Sequence, residues 1–330
     1  MNNPYNSLKS KRVLITGGLG MIGSTIAIQL VRHGAQVSLV DACIEPYGAN
    51  RFNIEPVKDS VKVHIADIRD KDAMKLLVRD QDIIFNLAGQ VSHNDSMNDP
   101  FLDADINYIG HLNVLECVHR FNPGAVIVHP GSRLQFGRIE NNPVNESHPL
   151  RPRTPYAVNK ASAETMYLFF HEIHNIRCVL FRIANPYGPR SQMKHSKYSM
   201  INWFIRKAMN DEAIKVFGDG HQLRDYIYVE DLADAFVRAV VTDGCMGEVF
   251  NIGSGTATSF KDMAESIVRI VGRGRVEFVP WPEDYVNVET GDYVTDITKI
   301  CKATGWKPTT DLQAGIRTTC DYYKTNLRHY

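Results

Sequence analysis

The stretch RVLITGGLGMIGSTIAIQLVRHG, Arg12 to Gly34, constrains the fold more than any other part of the chain. After Arg12 it begins with a short apolar, β-branched run, which fits a parallel strand covered on both faces. Glycines 17, 20 and 23 follow, and then a helical pattern that closes at Gly34, a favoured kind of helix C-cap.

The unit recurs. QVSLVD, VKVHIAD, DIIFNLAG, AVIVHPG and RCVLFRIA read as further strands, with helical patterns in DKDAMKLLV, INYIGHLNVLECVHRF and TPYAVNKASAETMYLFFHEI between them. Strands alternating with helices predict an α/β fold, a Rossmann-type doubly wound parallel sheet with helices on both faces. The rhythm changes after about residue 184. NPYGPRSQMKHSKYS reads as a loop. IKVFGDGHQLRDYIYVEDLADAFVRAV reads as strand, turn, strand and helix, and GEVFNIG as a strand returning to the main sheet. TSFKDMAESIVRIVG and VTDITKICKATG read as helical. The expected division is a dinucleotide-binding domain of residues 1–183 plus about 226–252, and a smaller mixed α/β substrate lobe of about 184–225 plus 253–330.

Charge narrows the partners. The 37 basic residues balance 37 acidic ones, so there is no overall basic field to hold nucleic acid or an anionic membrane. No stretch approaches the roughly 18 continuous apolar residues of a membrane span. The opening MNNPYNSLKSKRV lacks the apolar run of a signal peptide. The 6 cysteines are scattered without a CxxC pair, which reads as reduced thiols in a cytoplasmic protein and argues against a zinc site. HEIHNIRC sets His171 and His174 one turn apart with Cys178 beyond; it reads as the solvated end of a long helix, and no metal is expected.

Glycine between strand and helix lets backbone N–H groups approach a pyrophosphate at the helix N-terminus. Gly17, Gly20 and Gly23, with Met21 and Ile22 entering the helix, are the expected cradle. Asp41 ends the second strand about 20 residues on, where a carboxylate accepts ribose hydroxyls and disfavours a 2′-phosphate. The expected cofactor is therefore NAD. In PYAVNK, Tyr156 and Lys160 share a helix face at i, i+4. A lysine ammonium beside a phenol favours the phenolate, which makes the tyrosine an acid/base near neutral pH. Gln90, Ser92 and His93 follow the fourth strand at the carboxyl edge of the sheet, where ligands of doubly wound sheets lie, and are expected to touch substrate.

With TGGLGMIG, Asp41, ADI, NLAGQ, Asn107, SRLQFG, PYAVNK, RIANPYGPR and RDYIYVEDLADA in this order, the chain resembles the extended short-chain dehydrogenase/reductase family over nearly its whole length. Within it, the resemblance is to the nucleotide-sugar epimerase/dehydratase group, UDP-galactose 4-epimerase-like enzymes included. The resemblance implies a catalytic trio: Ser132 bonding the reacting oxygen, Tyr156 moving its proton, and Lys160 binding the nicotinamide ribose. It implies that Asp67 and Ile68 hold the adenine, and that Leu87, Ala88, Gly89 and Asn107 lie along the cofactor. It implies that Asn185 and Arg224 hold a substrate diphosphate and that Phe217 packs on the base. Two departures stand out. Phe136 replaces the tyrosine of the usual YG pair, and Glu289, in ETGD, replaces the arginine of a usual Arg-x-Gly-Asp, so a phosphate clamp is missing there.

Similar dehydratases carry an Asp–Glu pair directly after the catalytic Ser or Thr, and similar decarboxylases a glutamate. Here Arg133 and Leu134 stand there, and a guanidinium stays charged and shuttles no proton. Arg133 is placed instead against a substrate carboxylate or phosphate. What remains is hydride removal from a sugar carbon and hydride return, which is epimerisation, usually at C4 in this group. The alternatives are a nucleotide-sugar 4-dehydrogenase or ketoreductase with the same trio, a CDP-sugar 2-epimerase-like enzyme, and a non-catalytic NAD-binding sensor. The apolar faces of INYIGHLNVLECV and of the helix after PYAVNK predict a homodimer, as in similar proteins. His129 has no role assigned from sequence.

Overall fold

The computed structural model describes residues 4–45, 47–282 and 289–330. Residues 1–3 of the MNNPYNSLKSKRV segment lie outside that description, as do 46 and 283–288. The strands are β1 (Arg12–Thr16), β2 (Gln36–Asp41), β3 (Val61–Ile65), β4 (Ile83–Asn86), β5 (Val126–Ser132), β6 (Arg177–Ile183), β7 (Asn185–Tyr187), β8 (Ala213–Phe217), β9 (Leu223–Arg224), β10 (Tyr226–Tyr228), β11 (Val249–Ile252), β12 (Thr258–Ser259) and β13 (Arg275–Val279). Seven of them form one sheet in the order β11-β6-β5-β4-β1-β2-β3. All its pairings are parallel.

The helices are α1 (Met21–Arg32), α2 (Lys71–Leu77), α3 (His93–Asn98), α4 (Pro100–Ala104), α5 (His111–Phe121), α6 (Pro155–His174), α7 (Met200–Met209), α8 (Val229–Val240) and α9 (Phe260–Val271), followed by Thr298–Thr304 and Leu312–Asn326. Successive strand side chains alternate between the two faces. Val13, Ile15, Phe85 and Phe181 pack under α1 and α8 with Ile26, Leu30, Leu232 and Phe236. Leu14, Ile84, Ile127 and Leu180 pack on the opposite face with Val114, Leu115, Tyr167 and Phe170 of α5 and α6. A central strand buried on both sides has little room for polar residues, which is why Val13 to Ile15 reads as one apolar run. Thr298–Thr304 and Trp306 return to the α8 face, where Trp306 Nε1 donates to Asp231 O at 3.0 Å.

A second core holds β7, β8, β10, α7, α9 and Leu312–Asn326 together through Tyr187, Phe204, Ile214, Ile267, Ile316 and Tyr323. β8 pairs with β13 in parallel, β7 with β10 in parallel, and β9 with β12 antiparallel. GEVFNIG supplies β11, which joins the main sheet beside β6 as expected. The NPYGPRSQMKHSKYS segment departs from a plain loop. Its first three residues form β7, a pairing with Tyr226–Tyr228 too distant in sequence for a local pattern to show.

One irregularity faces the site. The helix read from INYIGHLNVLECVHRF is interrupted at Asp105–Gly110 by a π-helical turn. Such turns re-aim side chains and concentrate at functional sites. This one carries Asn107.

Candidate active site

The strand order reverses between β1 and β4, and the crevice beyond their carboxyl ends is where a doubly wound sheet binds its ligand. A cavity of about 660 Å³ opens there and runs from the glycine turn to the second core. Of the residues expected from sequence, Gly17, Gly20, Met21, Ile22, Gly23, Asp41, Asp67, Ile68, Leu87, Ala88, Gly89, Ser92, His93, Ser132, Arg133, Tyr156, Lys160, Asn185, Phe217 and Arg224 all line it. Gln90 and Asn107 stand behind the wall. Gln90 is 2 % exposed and its amide is consumed within its own loop by Ser92. Asn107 donates to Gln90 O at 2.9 Å and to Asp103 Oδ2 at 3.0 Å. These bonds brace the loop, while Asn107 Oδ1 has no hydrogen-bond partner among the described residues and lies against Gly89 of the wall, 2.8 Å from where a Cβ there would stand.

The glycine turn fits a dinucleotide. Gly17 has φ +64°, a left-handed conformation that strains other residues, and an added Cβ would stand 3.0 Å from Ala88. A Cβ on Gly23 would lie 2.4 Å from Gly17 O, so any side chain there would push the helix off the turn. Gly20 caps α1 without a side chain, and no acid occupies the first helical turn. The positive end of the helix dipole is thus left open toward the cavity. Asp41 accepts Leu19 N–H at 3.1 Å and Cys43 N–H at 3.0 Å, which aims its carboxylate. Burial pushes its pKa up against those two bonds. Asp67 is anchored by Arg69 at 2.7 Å; burial opposes its charge, but that guanidinium and the Arg69 N–H hold the pKa below the usual value.

From behind, Thr16 Oγ1 donates to Asn86 Oδ1 at 2.7 Å and accepts Ala88 N–H at 3.0 Å, which fixes the Leu87–Gly89 wall. Sequence reasoning missed this brace. It also left His129 unassigned. His129 is fully buried on β5, its ring 5.1 Å from His111 and 4.8 Å from Tyr167. Burial first, then His111 and Lys160, push its pKa well down, so it sits as a neutral ring beneath the site.

The trio is assembled from two elements. Thr154 caps α6 by accepting Ala157 N–H, and Pro155 occupies the first helical turn, so TPYAVNK starts a helix with Tyr156 and Lys160 on consecutive turns. Ser132 ends β5, and its N–H is held by Gln135 Oε1 at 2.7 Å. Gln135 Nε2 donates to Glu164 Oε2 at 2.7 Å, and Glu164 is clamped by Arg182 at 2.6 and 3.0 Å. This buried chain ties the Ser132 turn to α6; only the spatial approach of β5, β6 and α6 reveals it. Lys160 Nζ stands 6.0 Å from the Tyr156 ring centroid. Burial works against the lowering of the Tyr156 pKa expected from Lys160. Burial dominates and pushes the phenol up to about 12, while the Ser132 hydrogen bond and the Arg133 charge pull the other way. Burial likewise pulls Lys160 down to about 8, against the attraction of Asp103. Tyr156 can take a proton from a hydroxyl only as the phenolate, which burial disfavours and the Ser132 bond and the Arg133 charge favour.

Beyond the trio, Arg133 Nε donates to Asn185 Oδ1 at 3.1 Å and Nη1 to Thr290 Oγ1 at 3.1 Å. Arg224 is 4 % exposed and bonds Leu223 O, Gly291 O and Glu289 Oε1, the last at 2.5 Å. Phe217 meets the Trp281 ring at 5.5 Å between centroids, and both line the cavity. Trp281 and Thr290 were not read from sequence; neither carries a motif. The metal-like spacing in HEIHNIRC dissolves in three dimensions: His171 Nδ1 bonds Ile176 O at 2.8 Å, and Cys178 is buried in β6 with its thiol pushed up to about 12 by burial.

Known proteins resemble this chain over nearly its whole length. A family model described as GDP-mannose 4,6 dehydratase matches residues 14–319. A UDP-glucose 4-epimerase of Mycolicibacterium smegmatis is 31% identical over 317 residues, covering 95% of this chain and 98% of the relative. The structure of a Thermotoga maritima UDP-glucose 4-epimerase with UDP-glucose superposes with a TM-score of 0.88 at 27% identity, covering 96% of this chain and 99% of that one. A Thermus thermophilus UDP-glucose 4-epimerase in complex with NAD superposes with a TM-score of 0.85 at 27% identity, covering 95% and 99%. The chain belongs to the family of NAD-dependent nucleotide-sugar epimerases and dehydratases of the short-chain dehydrogenase/reductase type.

Proposed function

We propose that this chain is an NAD-dependent nucleotide-sugar epimerase that inverts C4 through a transient keto sugar. One observation carries the reading: Ser132, Tyr156 and Lys160 meet at the cavity wall, while the two positions after the serine hold Arg133 and Leu134 instead of an acid and a base. Family membership alone leaves dehydration open, but expelling water needs a proton donor and a proton acceptor beside the trio, and a guanidinium and an isobutyl group supply neither.

NAD, when bound along Gly17–Gly23, Asp41, Asp67, Ile68 and Leu87–Gly89, supplies reversible two-electron chemistry. The chain's own residues handle the proton. Tyr156 Oη takes the proton of the C4 hydroxyl and gives it back to the C4 carbonyl, with Ser132 Oγ hydrogen-bonded to the same oxygen. The Lys160 ammonium offsets the charge of the phenolate that precedes the first transfer and follows the second. In this mechanism the pyranose turns over while the nucleotide stays seated in the second lobe by Phe217 and Asn185, which line the cavity. In this reading residues 1–183 plus about 226–252 serve the cofactor, and about 184–225 plus 253–330 serve the nucleotide sugar.

The reading includes a homodimer in the cytoplasm. Val158, Phe169 and Ile173 recur along one face of α6 and are exposed, as are Ile109 and Phe101 of the neighbouring segments. All six cysteines are free, which suits a reducing compartment. Sedimentation is expected to return twice the chain mass of 37.2 kDa; a monomer at micromolar concentration contradicts the dimer.

The test is a panel of UDP-, GDP-, CDP- and dTDP-sugars given to the protein as purified, without added cofactor. An epimer of unchanged mass is expected, lost in Tyr156→Phe. A product lighter by two hydrogens would make the protein a dehydrogenase instead.

A further inference from the structure

Two guanidinium groups and one carboxylate meet at the end of the cavity beyond Ser132. Glu289 Oε1 pairs with Arg224 and also accepts the Thr290 and Gly291 N–H groups at 3.0 Å each. Arg224 Nη1 donates to Leu223 O at 2.8 Å and to Gly291 O at 3.0 Å. Its charge is paired and three of its five N–H groups are used, so it works as a buried brace between β9 and the Glu289–Gly291 turn. Arg133 is in the opposite condition. No carboxylate oxygen of the described residues lies within 4.0 Å of its guanidinium, which is held only by the neutral Asn185 and Thr290 and by the Tyr293 ring at 5.5 Å. Burial and the nearby Arg224 charge lower its pKa to about 10, against Tyr293, Glu289 and Tyr226, which raise it, and it stays cationic at pH 7.

A half-buried cation whose nearest acting carboxylate, Glu289, is already paired with Arg224 gains from a ligand that supplies an anion. The groups that hold Arg133, Asn185 and Thr290, belong to the same end of the cavity as Arg224 and Glu289. We infer that Arg133 takes the diphosphate of the nucleotide sugar, in place of Arg224, which Glu289 has turned into a structural residue. The inference rests on the nucleotide-sugar reading above and deepens it. It answers the missing clamp at position 289: the cation comes from the residue after the catalytic serine. A guanidinium suits this task because its planar fork matches phosphate oxygens, and two of its donors are already set by Asn185 and Thr290.

The experiment is calorimetric binding of UDP, GDP, CDP and dTDP to the protein as purified, with folding and cofactor content checked by circular dichroism and absorbance. For the diphosphate that binds, Arg133→Gln is expected to weaken affinity by about 10- to 100-fold, the scale of a lost charge-assisted contact. Arg133→Lys, which keeps the charge and is the fallback if the glutamine variant folds poorly, is expected to lose less. Glu289→Gln is expected to tighten binding several-fold and to restore part of the affinity in the Arg133→Gln background, because it releases Arg224. Equal binding by wild type and both Arg133 variants overturns the inference while leaving the epimerase reading intact. So does a loss confined to UDP-glucuronate, with UDP and UDP-glucose unaffected, which would place the guanidinium on a sugar carboxylate. If no nucleoside diphosphate binds the wild type at millimolar concentration, the nucleotide-sugar reading falls and this inference with it.

Discussion

Lys160 is 3 % exposed, and burial lowers its pKa to about 8 from an ordinary value near 10.4. A lysine whose folded pKa lies below its unfolded one carries fewer protons folded than unfolded between those values. Its destabilisation is therefore fully present below about pH 8 and relieved as pH rises through 8 toward 10.4. Lys160→Met removes that cost. It is expected to stabilise the protein by about 1–3 kcal/mol at pH 7, with the gain shrinking toward pH 10, while turnover is lost. Asp103 keeps its bonds from Asn107 and Asn159 in the variant, so its carboxylate stays satisfied. Urea unfolding at pH 7 and pH 10 measures the difference. A variant less stable than wild type at pH 7 would show that Lys160 is a structural lysine, not a strained functional one.

At the scale of elements, the Ser132 turn, α6 and β6 are joined by Gln135, Glu164 and Arg182. Glu164 and Arg182 side chains are 4 and 7 % exposed. Glu164→Ala leaves Arg182 buried without its partner and is expected to cost about 3–5 kcal/mol, read from chemical denaturation. It also frees Gln135, so the folded fraction should show reduced turnover with cofactor content unchanged. Unaltered stability would mean that Arg182 is paired elsewhere. None of this was legible in the sequence, because residues 135, 164 and 182 sit on three elements and share no motif. The opposite holds for β1 and α1. An apolar run, three glycines and a helical period are local signals, and they gave both the strand and its ligand. Tyr156 and Lys160 were legible as a pair for the same reason, but the direction of the phenol's shift was not: it depends on burial, which no spacing reports. Asn107 and Gln90 were located near the site by resemblance and order, while their place behind its wall depends on the π-helical turn. Glu289 was visible as an oddity, and its meaning emerged only when Arg224 was found against it.

Across the whole molecule, the parallel sheet fixes one end of the cavity and the second core the other. In the proposed reading the cofactor lies at the first end and the sugar nucleotide at the second, with the reacting carbon between them. The division of labour predicts a definite fate for the hydrogen on the inverted carbon, since it leaves and returns inside the site and never reaches solvent. The most direct measurement is the reaction run in D2O with the accepted nucleotide sugar, followed by mass spectrometry and proton NMR of the product. Inversion at C4 with unchanged mass and a retained proton at that carbon is the expected result. A deuterium at the inverted carbon, or a product lighter by one water, would contradict transient oxidation by Ser132, Tyr156 and Lys160.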